Sequence, residues 1–361
     1  MLVIDAHLDL AWNALQWNRN LLQSAYTIRT LELGIPEKGR AQNTVSLPEM
    51  REGRVFLSIA TLLSRSTGTP VAHVDFLSAA QAFGTARGQL AYYRALEQQG
   101  YARIITDSDT LNQHVTEWET WEQAGAAGEP PPLGFVISME SADPILEPED
   151  LEEWYQAGVR LIGPAHYGMG RYAGGTGVED GLTERGCRLL DEMARLGVIL
   201  DLTHLSDKSF WQALERFGGP VIASHNNCRA LVPHQRQFSD EQIRAIIERD
   251  GVIGAAFDDW MLYPGWIKGV TSTREVTLAR VVDHIDHVCQ LAGSSAHAGI
   301  GSDLDGGFGR EQSPCDLDTI VDLQKIAGLL RERGYSDADV AAIMHGNWLR
   351  LLRRVWGAPS A

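Results

Sequence analysis

Short, continuously apolar runs rich in Val, Ile and Leu recur along this chain, with stretches of helical periodicity between them. Eight stand out: LVIDAHLDL (2–10), RVFLSIATLL (54–63), LGFVISME (133–140), VRLIGPAH (159–166), GVILDLTHL (197–205), PVIASHN (220–226), GVIGAAF (251–257) and AGIGSDLDG (298–306). A ninth run, RIITD (103–107), is weak and is set aside. Amphipathic segments fall at 75–99, 183–197, 239–251 and 275–293. Strands alternating with helices predict βα units and a parallel sheet, and unbroken apolar strands suit a sheet buried on both faces. Eight such units close most economically into a (β/α)8 barrel. The rival architecture is a doubly wound open sheet, but no G-x-G-x-x-G follows the first strand.

With 361 residues, 44% of them hydrophobic, the chain can bury one large core. The expected organisation is a single barrel domain over 1–361, with insertions around 11–53 and 108–132. Long insertions after barrel strands shape substrate pockets. A formal net charge of -16 argues against nucleic-acid and anionic membrane partners. No apolar run reaches the roughly 20 residues of a membrane span, and no basic segment with an apolar stretch opens the chain. Cys187, Cys228, Cys289 and Cys315 form no CxxC pair, so a reducing compartment and a cytoplasmic protein are expected.

Polar residues fall at particular places in this pattern. At or near the C-terminal ends of the strands stand His7 and Asp9, Glu140, His166, His204, His225, and Asp303 with Asp305. Barrel enzymes assemble their active sites at that end, and charged groups closing apolar strands are costly to bury unless they pair or bind metal. Each has a simpler reading alone. His204 could cap the following helix, His225 could be a turn residue, and Glu140 could face solvent. Asp303 and Asp305 sit in a turn-prone DLDGG segment. Together they supply metal-ligand types from five strands, which reads as a two-metal hydrolytic site. Such a pair of ions polarises a carbonyl and generates hydroxide at neutral pH, while a further carboxylate handles the proton. His73, His114, His284, His287, His297 and His345 lie away from strand ends and read as structural or solvated. His234 is undecided.

These residues, in this order, resemble the membrane dipeptidase (renal dipeptidase) family, peptidase family M19, of the metal-dependent amidohydrolase superfamily. The likeness runs from VIDAHLDL through MES and PVIASHNNCRALVPHQRQFSDEQI to HGNWLRLLRRV, and is most specific at 181–206 and in GSDLDG (301–306). It implies a barrel with two Zn2+ ions, His7 and Asp9 binding one, His204 and His225 the other, and Glu140 bridging them. It further implies that Asp303 handles the proton of the bridging hydroxide and that His166 stabilises the oxyanion. Arg236 would grip the substrate's terminal carboxylate, a task suited to a planar guanidinium. The implied activity is zinc-dependent hydrolysis of small dipeptides, including those with a C-terminal D-residue. Relatives of this kind are often homodimers, although the sequence itself carries no interface signal.

Departures from the family pattern gather in the pocket walls. The family's D-G-H-N-D is Asp5-Ala6-His7-Leu8-Asp9 here, and Pro164-Ala165 precede His166 in place of L-T. YGMGRYAGGTG (167–177) and DDWMLYPGW (258–266) differ too, and Gln235 and Gln237 flank Arg236. The alternatives are another binuclear amidohydrolase, such as an N-acyl amino acid hydrolase or lactonase, and a non-catalytic barrel.

Overall fold

A computed structural model describes residues 1–357; the expected domain end at residue 361 lies outside the described residues. Nine strands occur in chain order: β1 (Val3–Leu8), β2 (Val55–Leu63), β3 (Ala102–Ile104), β4 (Leu133–Glu140), β5 (Val159–Gly163), β6 (Ile199–Asp201), β7 (Val221–Ile222), β8 (Ile253–Ala255) and β9 (Ala298–Ile300). Their order in the sheet is β7-β6-β5-β4-β2-β1-β9-β8, and all pairings are parallel. A single bridge between Ala223 and Ile253 brings β7 against β8. There Ala223 N–H donates to Val252 O at 3.0 Å and Gly254 N–H donates to Ala223 O at 2.8 Å, both ordinary ladder distances. The ring is thereby closed, and the molecule is a (β/α)8 barrel.

The barrel uses the eight strong runs. The weak run set aside is nonetheless a strand: β3 pairs with the first part of β4, outside the ring, at Ala102–Leu133, Arg103–Gly134 and Ile104–Phe135. The helix that follows it, Ser108–Gln123, occupies most of the expected 108–132 insertion, leaving 124–132 as the loop.

Every residue of β1, β2 and β4 is buried, as their unbroken apolar character requires when helices cover one face and the barrel interior the other. The helices carry ordinary start and stop signals. Thr183 caps Glu184–Leu196 by accepting from Gly186 N–H, and Gly197 ends it in the left-handed region at φ 72°. Ser239 and Gln242 form a capping box at Asp240–Glu248.

Close approach of strands at the open end depends on two glycines. A Cβ on Gly254 or Gly301 would run into the Ser224 carbonyl oxygen. Gly301→Ala is therefore expected to push Ser224 and the adjoining His225 out of place. The expected cost is about 1–3 kcal/mol of stability, read as a lower denaturation midpoint.

Residues 11–53 fold as three short helices, Leu10–Leu15, Ala25–Leu31 and Leu47–Glu52. A buried cluster ties this insertion to the rim. Arg19 donates to Glu32 from Nε at 2.9 Å and Nη2 at 3.0 Å, and to Asn13 Oδ1 at 2.8 Å. Asp305 fastens the end of the insertion by accepting from Thr44 N at 2.7 Å and Val45 N at 3.0 Å.

Candidate metal centre

Glu140, the last residue of β4, is 7% exposed. Its Oε1 is ringed by imidazole Nε2 atoms from four other segments: His204 at 3.2 Å, His225 at 3.4 Å, His7 at 3.5 Å and His166 at 3.8 Å. The Nε2 atoms of His204 and His225 stand 3.1 Å apart. On the other side, Asp303 Oδ1 is 3.8 Å from His7 Nε2, and Asp9 joins His7 and Asp303 in one ligand cluster.

The strands end earlier than the apolar runs suggest, and this exposes the side chains to the open end. β1 stops at Leu8, so Asp9 is the first residue past the ladder and caps the Leu10–Leu15 helix. His204 and His225 follow β6 and β7, which have three and two residues in the ladder. His204 does not cap the following helix: Ser206 does, accepting from Ser209 N–H. Four non-glycine residues beside the site adopt positive φ: Ser141 (74°), His204 (67°), Asp303 (59°) and Asp305 (63°). Such conformations cost energy and persist where surrounding structure enforces them, commonly at functional sites.

Hydroxyls orient three of these imidazoles. Thr176 Oγ1 lies 3.0 Å from His204 Nδ1, and Ser224 Oγ lies 2.9 Å from His225 Nδ1 and 3.3 Å from His7 Nδ1. Thr61 hydrogen-bonds the Asp9 carboxylate. Beneath them, Asp5 accepts from Ser302 N at 2.8 Å and Asp201 from Ser224 N at 3.0 Å, pinning the strand ends.

The electrostatics test whether a metal fits. Burial holds the His204 and His225 pKa values well below the ordinary imidazole range, assisted by Arg236 for His204 and by His7 for His225. Both rings are therefore neutral, the form that ligates. With their protons on Nδ1, facing hydroxyls, the two Nε2 atoms turn lone pairs toward each other and toward Glu140. A cation resolves that arrangement. Burial also disfavours charge on His7, but Glu140, Asp9 and Asp303 outweigh it and raise its pKa to about 10. Its Nε2 is buried without a hydrogen-bond partner. Burial raises Asp9 to about 7, with Glu140 adding repulsion, and raises Asp303 well above its ordinary value, with Asp9 and Glu140 contributing. Carboxylates crowded with imidazoles form a nitrogen-and-oxygen donor set suited to divalent metal.

Residues 1–358 match the family model described as membrane dipeptidase (peptidase family M19). The chain belongs to the membrane dipeptidase family. Among curated relatives, an uncharacterised protein in the pqqA 5' region of Klebsiella pneumoniae is 32% identical over 218 residues, 58% of this chain and 77% of that protein. Dipeptidase tcpJ of Claviceps purpurea is 32% identical over 212 residues, 57% of this chain but 47% of its own length. The match therefore spans about half of that dipeptidase. Among solved structures, the dipeptidase AC, a metallopeptidase of family M19, superposes with a TM-score of 0.78 at 25% identity over 99% of both chains. A Rhodobacter sphaeroides metallopeptidase, liganded with a phosphinate mimic of the dipeptide L-Ala-D-Ala, superposes at 0.75 with the same identity and coverage.

In this membrane dipeptidase family member, the eight residues to which the resemblance gives roles come together. Asp9, Glu140, His166, His204, Arg236 and Asp303 line one cleft of about 150 Å³, with His7 and His225 buried behind it. Asp305, the other aspartate of GSDLDG, is engaged with Thr44, Val45 and Arg19 and does not line the cleft. Arg236 is 3% exposed and donates only to neutral oxygens, Asn226 Oδ1 at 2.5 Å and His225 O at 2.9 Å. His234 accepts from Arg236 N–H at 3.0 Å and packs edge-on against Trp260, shaping the turn that carries the arginine. His114 and His284 are buried elsewhere, bonded to Phe56 O and Cys228 N.

Tyr167, Asp258 and Trp260 lie in the altered wall segments read from the sequence but were not singled out there; sequence reasoning missed Trp12 and the orienting hydroxyls of Thr176 and Ser224. Only Ser224 carried a local signal, its place beside His225. Among the described residues, no helix is long and apolar enough to cross a membrane.

Proposed function

We propose that this chain is a zinc-dependent dipeptidase with two ions in the cleft, where His7 and Asp9 would hold one, His204 and His225 the other, and Glu140 would serve both. The observation that carries this reading is Glu140 Oε1 with four imidazole nitrogens within 3.8 Å. When bound, such ions polarise a carbonyl and make water a stronger acid at neutral pH.

The chain's own residues do the rest. Arg236, a buried guanidinium bonded only to neutral oxygens, holds the substrate's terminal carboxylate and so sets the position of the scissile bond. His166 Nε2 donates to the carbonyl oxygen as negative charge develops there. Asp303 Oδ1 accepts a proton from the attacking water and delivers it to the leaving amine; its raised proton affinity suits that exchange. Trp12, Leu63, Val74, Trp260 and Met261 give the cleft apolar walls and keep bulk water from the reacting bond.

The Rhodobacter sphaeroides relative's phosphinate ligand supports extending the reading to dipeptides with a C-terminal D-residue. A panel of L-Ala-L-Ala, L-Ala-D-Ala, N-acetyl-alanine and a simple lactone, with and without chelator, tests it. The expected result is chelator-sensitive cleavage of the dipeptides, including L-Ala-D-Ala. Turnover of the lactone or the N-acyl compound alone would point to another amidohydrolase activity, and chelator-insensitive cleavage would overturn the mechanism.

Arg236→Met should lower kcat/KM for dipeptides about 30-fold or more, mostly through KM, because losing one partner of a buried charge pair costs about 2–5 kcal/mol. Steady-state kinetics checks this; an unchanged KM would remove Arg236 from carboxylate recognition.

A further inference from the structure

Arg65 carries no signal in the sequence, yet the structure anchors both its backbone and its side chain near the cleft. It follows β2 and is 8% exposed. Its N–H donates to Val74 O at 2.9 Å, and its carbonyl accepts from Phe76 N–H at 2.8 Å. Its Nε donates to Asp75 Oδ2 at 2.8 Å, and Asp75 is itself held by Thr67 N at 2.9 Å and Thr67 Oγ1 at 2.7 Å. With backbone and Nε anchored, Nη1 is delivered 2.7 Å from Nδ1 of His166.

That contact dictates a tautomer. A guanidinium has five donors and no acceptor, so His166 Nδ1 must present its lone pair. A neutral imidazole carries one N–H, which must then be on Nε2, the nitrogen 3.8 Å from Glu140 Oε1. An Nε2 that bears a proton has no lone pair to offer a metal. His204 and His225 differ: their Nδ1 atoms face the hydroxyls of Thr176 and Ser224, which can accept a proton and leave Nε2 free to ligate. By distance alone His166 groups with Glu140 and His204 as a ligand cluster.

We propose that Arg65 is a positioning residue: by occupying Nδ1 of His166 it locks the Nε2–H tautomer, making this imidazole a hydrogen-bond donor to the substrate and keeping it out of the metal shell. The assignment rests on the dipeptidase reading for the identity of the substrate oxygen, but the tautomer is a property of the protein alone.

The test uses the metal-loaded protein labelled with 15N-histidine, the His166 signals being identified by their loss in His166→Asn. Wild type should show His166 protonated at Nε2 and bare at Nδ1. Arg65→Met should lose that single tautomer. Its kcat for L-Ala-D-Ala should fall about 10–100-fold, the size typical of losing a histidine's orienting partner, with KM and metal content little changed. Arg65→Lys, which still donates, should keep the tautomer and part of the rate. In the His166→Asn background, Arg65→Met should cost nothing further. A wild-type His166 protonated at Nδ1 would overturn the assignment, as would an Arg65→Met penalty equally large without His166. If wild type cleaves no dipeptide, the functional reading fails while the nitrogen spectra still decide the role of Arg65.

Discussion

Asp303→Asn should lower kcat for dipeptide hydrolysis by about 10²–10⁴-fold, the usual contribution of a general acid–base, while leaving metal content at the wild-type level. The residue sits just beyond β9 at φ 59°, with its N–H directed at His7 O and its carbonyl accepting from Gly306 N at 2.9 Å. Asn tolerates the left-handed region as Asp does, so the turn should survive. What is lost is a carboxylate able to take a proton. Burial, together with the Asp9 and Glu140 charges, raises its proton affinity, while His7 opposes the rise. Since Asp303 also clusters with His7 and Asp9, metal content must be measured beside the rate. If metal and activity disappear together, Asp303 is a ligand and the proton must be carried elsewhere.

Glu140→Gln should have the larger effect on the site itself. Glu140 Oε1 is the point on which the four imidazoles converge, and the carboxylate supplies the negative charge between them. A Gln there keeps the volume but replaces the central negative charge with a neutral amide. Metal affinity should fall by more than the roughly 100-fold that accompanies loss of a group that merely orients a ligand. Activity should fall below detection at ordinary metal concentrations. The fold should remain, because β4 is held through its backbone: Glu140 pairs with Gly163, and its other neighbour across the ladder is Leu63. Equilibrium dialysis and thermal melting of the metal-free variant check the two halves. Metal binding at wild-type strength in Glu140→Gln would refute the bridging role.

The barrel was legible because strands buried on both faces cannot hide their composition: LGFVISME and RVFLSIATLL read as strands almost to the residue. Elsewhere the apolar runs overreach. GVILDLTHL contains a ladder of three residues and PVIASHN one of two, because the chain leaves the sheet to turn His204 and His225 toward Glu140. The candidate ligands themselves were visible as polar interruptions near the strand ends. Asp9 clusters with His7 although it lies just past β1 rather than within it.

What remained hidden depends on distant pairing. Arg65 meets His166 across 101 residues of chain, and Thr176 meets His204 across 28. Neither carries a motif, and no local periodicity reports such contacts. Leu8, where relatives usually carry Asn, proves fully buried in β1, a packing role its apolar neighbours already suggested. The altered segment after β8 brings Asp258, Trp260 and Met261 into the cleft wall. The departure read from sequence at the pocket wall therefore falls on side chains that line the cleft.

Metal content measured alongside dipeptide hydrolysis addresses the Glu140-centred site most directly. Purified protein should carry about two equivalents of metal per chain, as a binuclear hydrolytic site requires. Activity should disappear as chelation removes them and return when Zn2+ is added back. Undiminished hydrolysis by fully metal-free protein would contradict the metal-dependent mechanism.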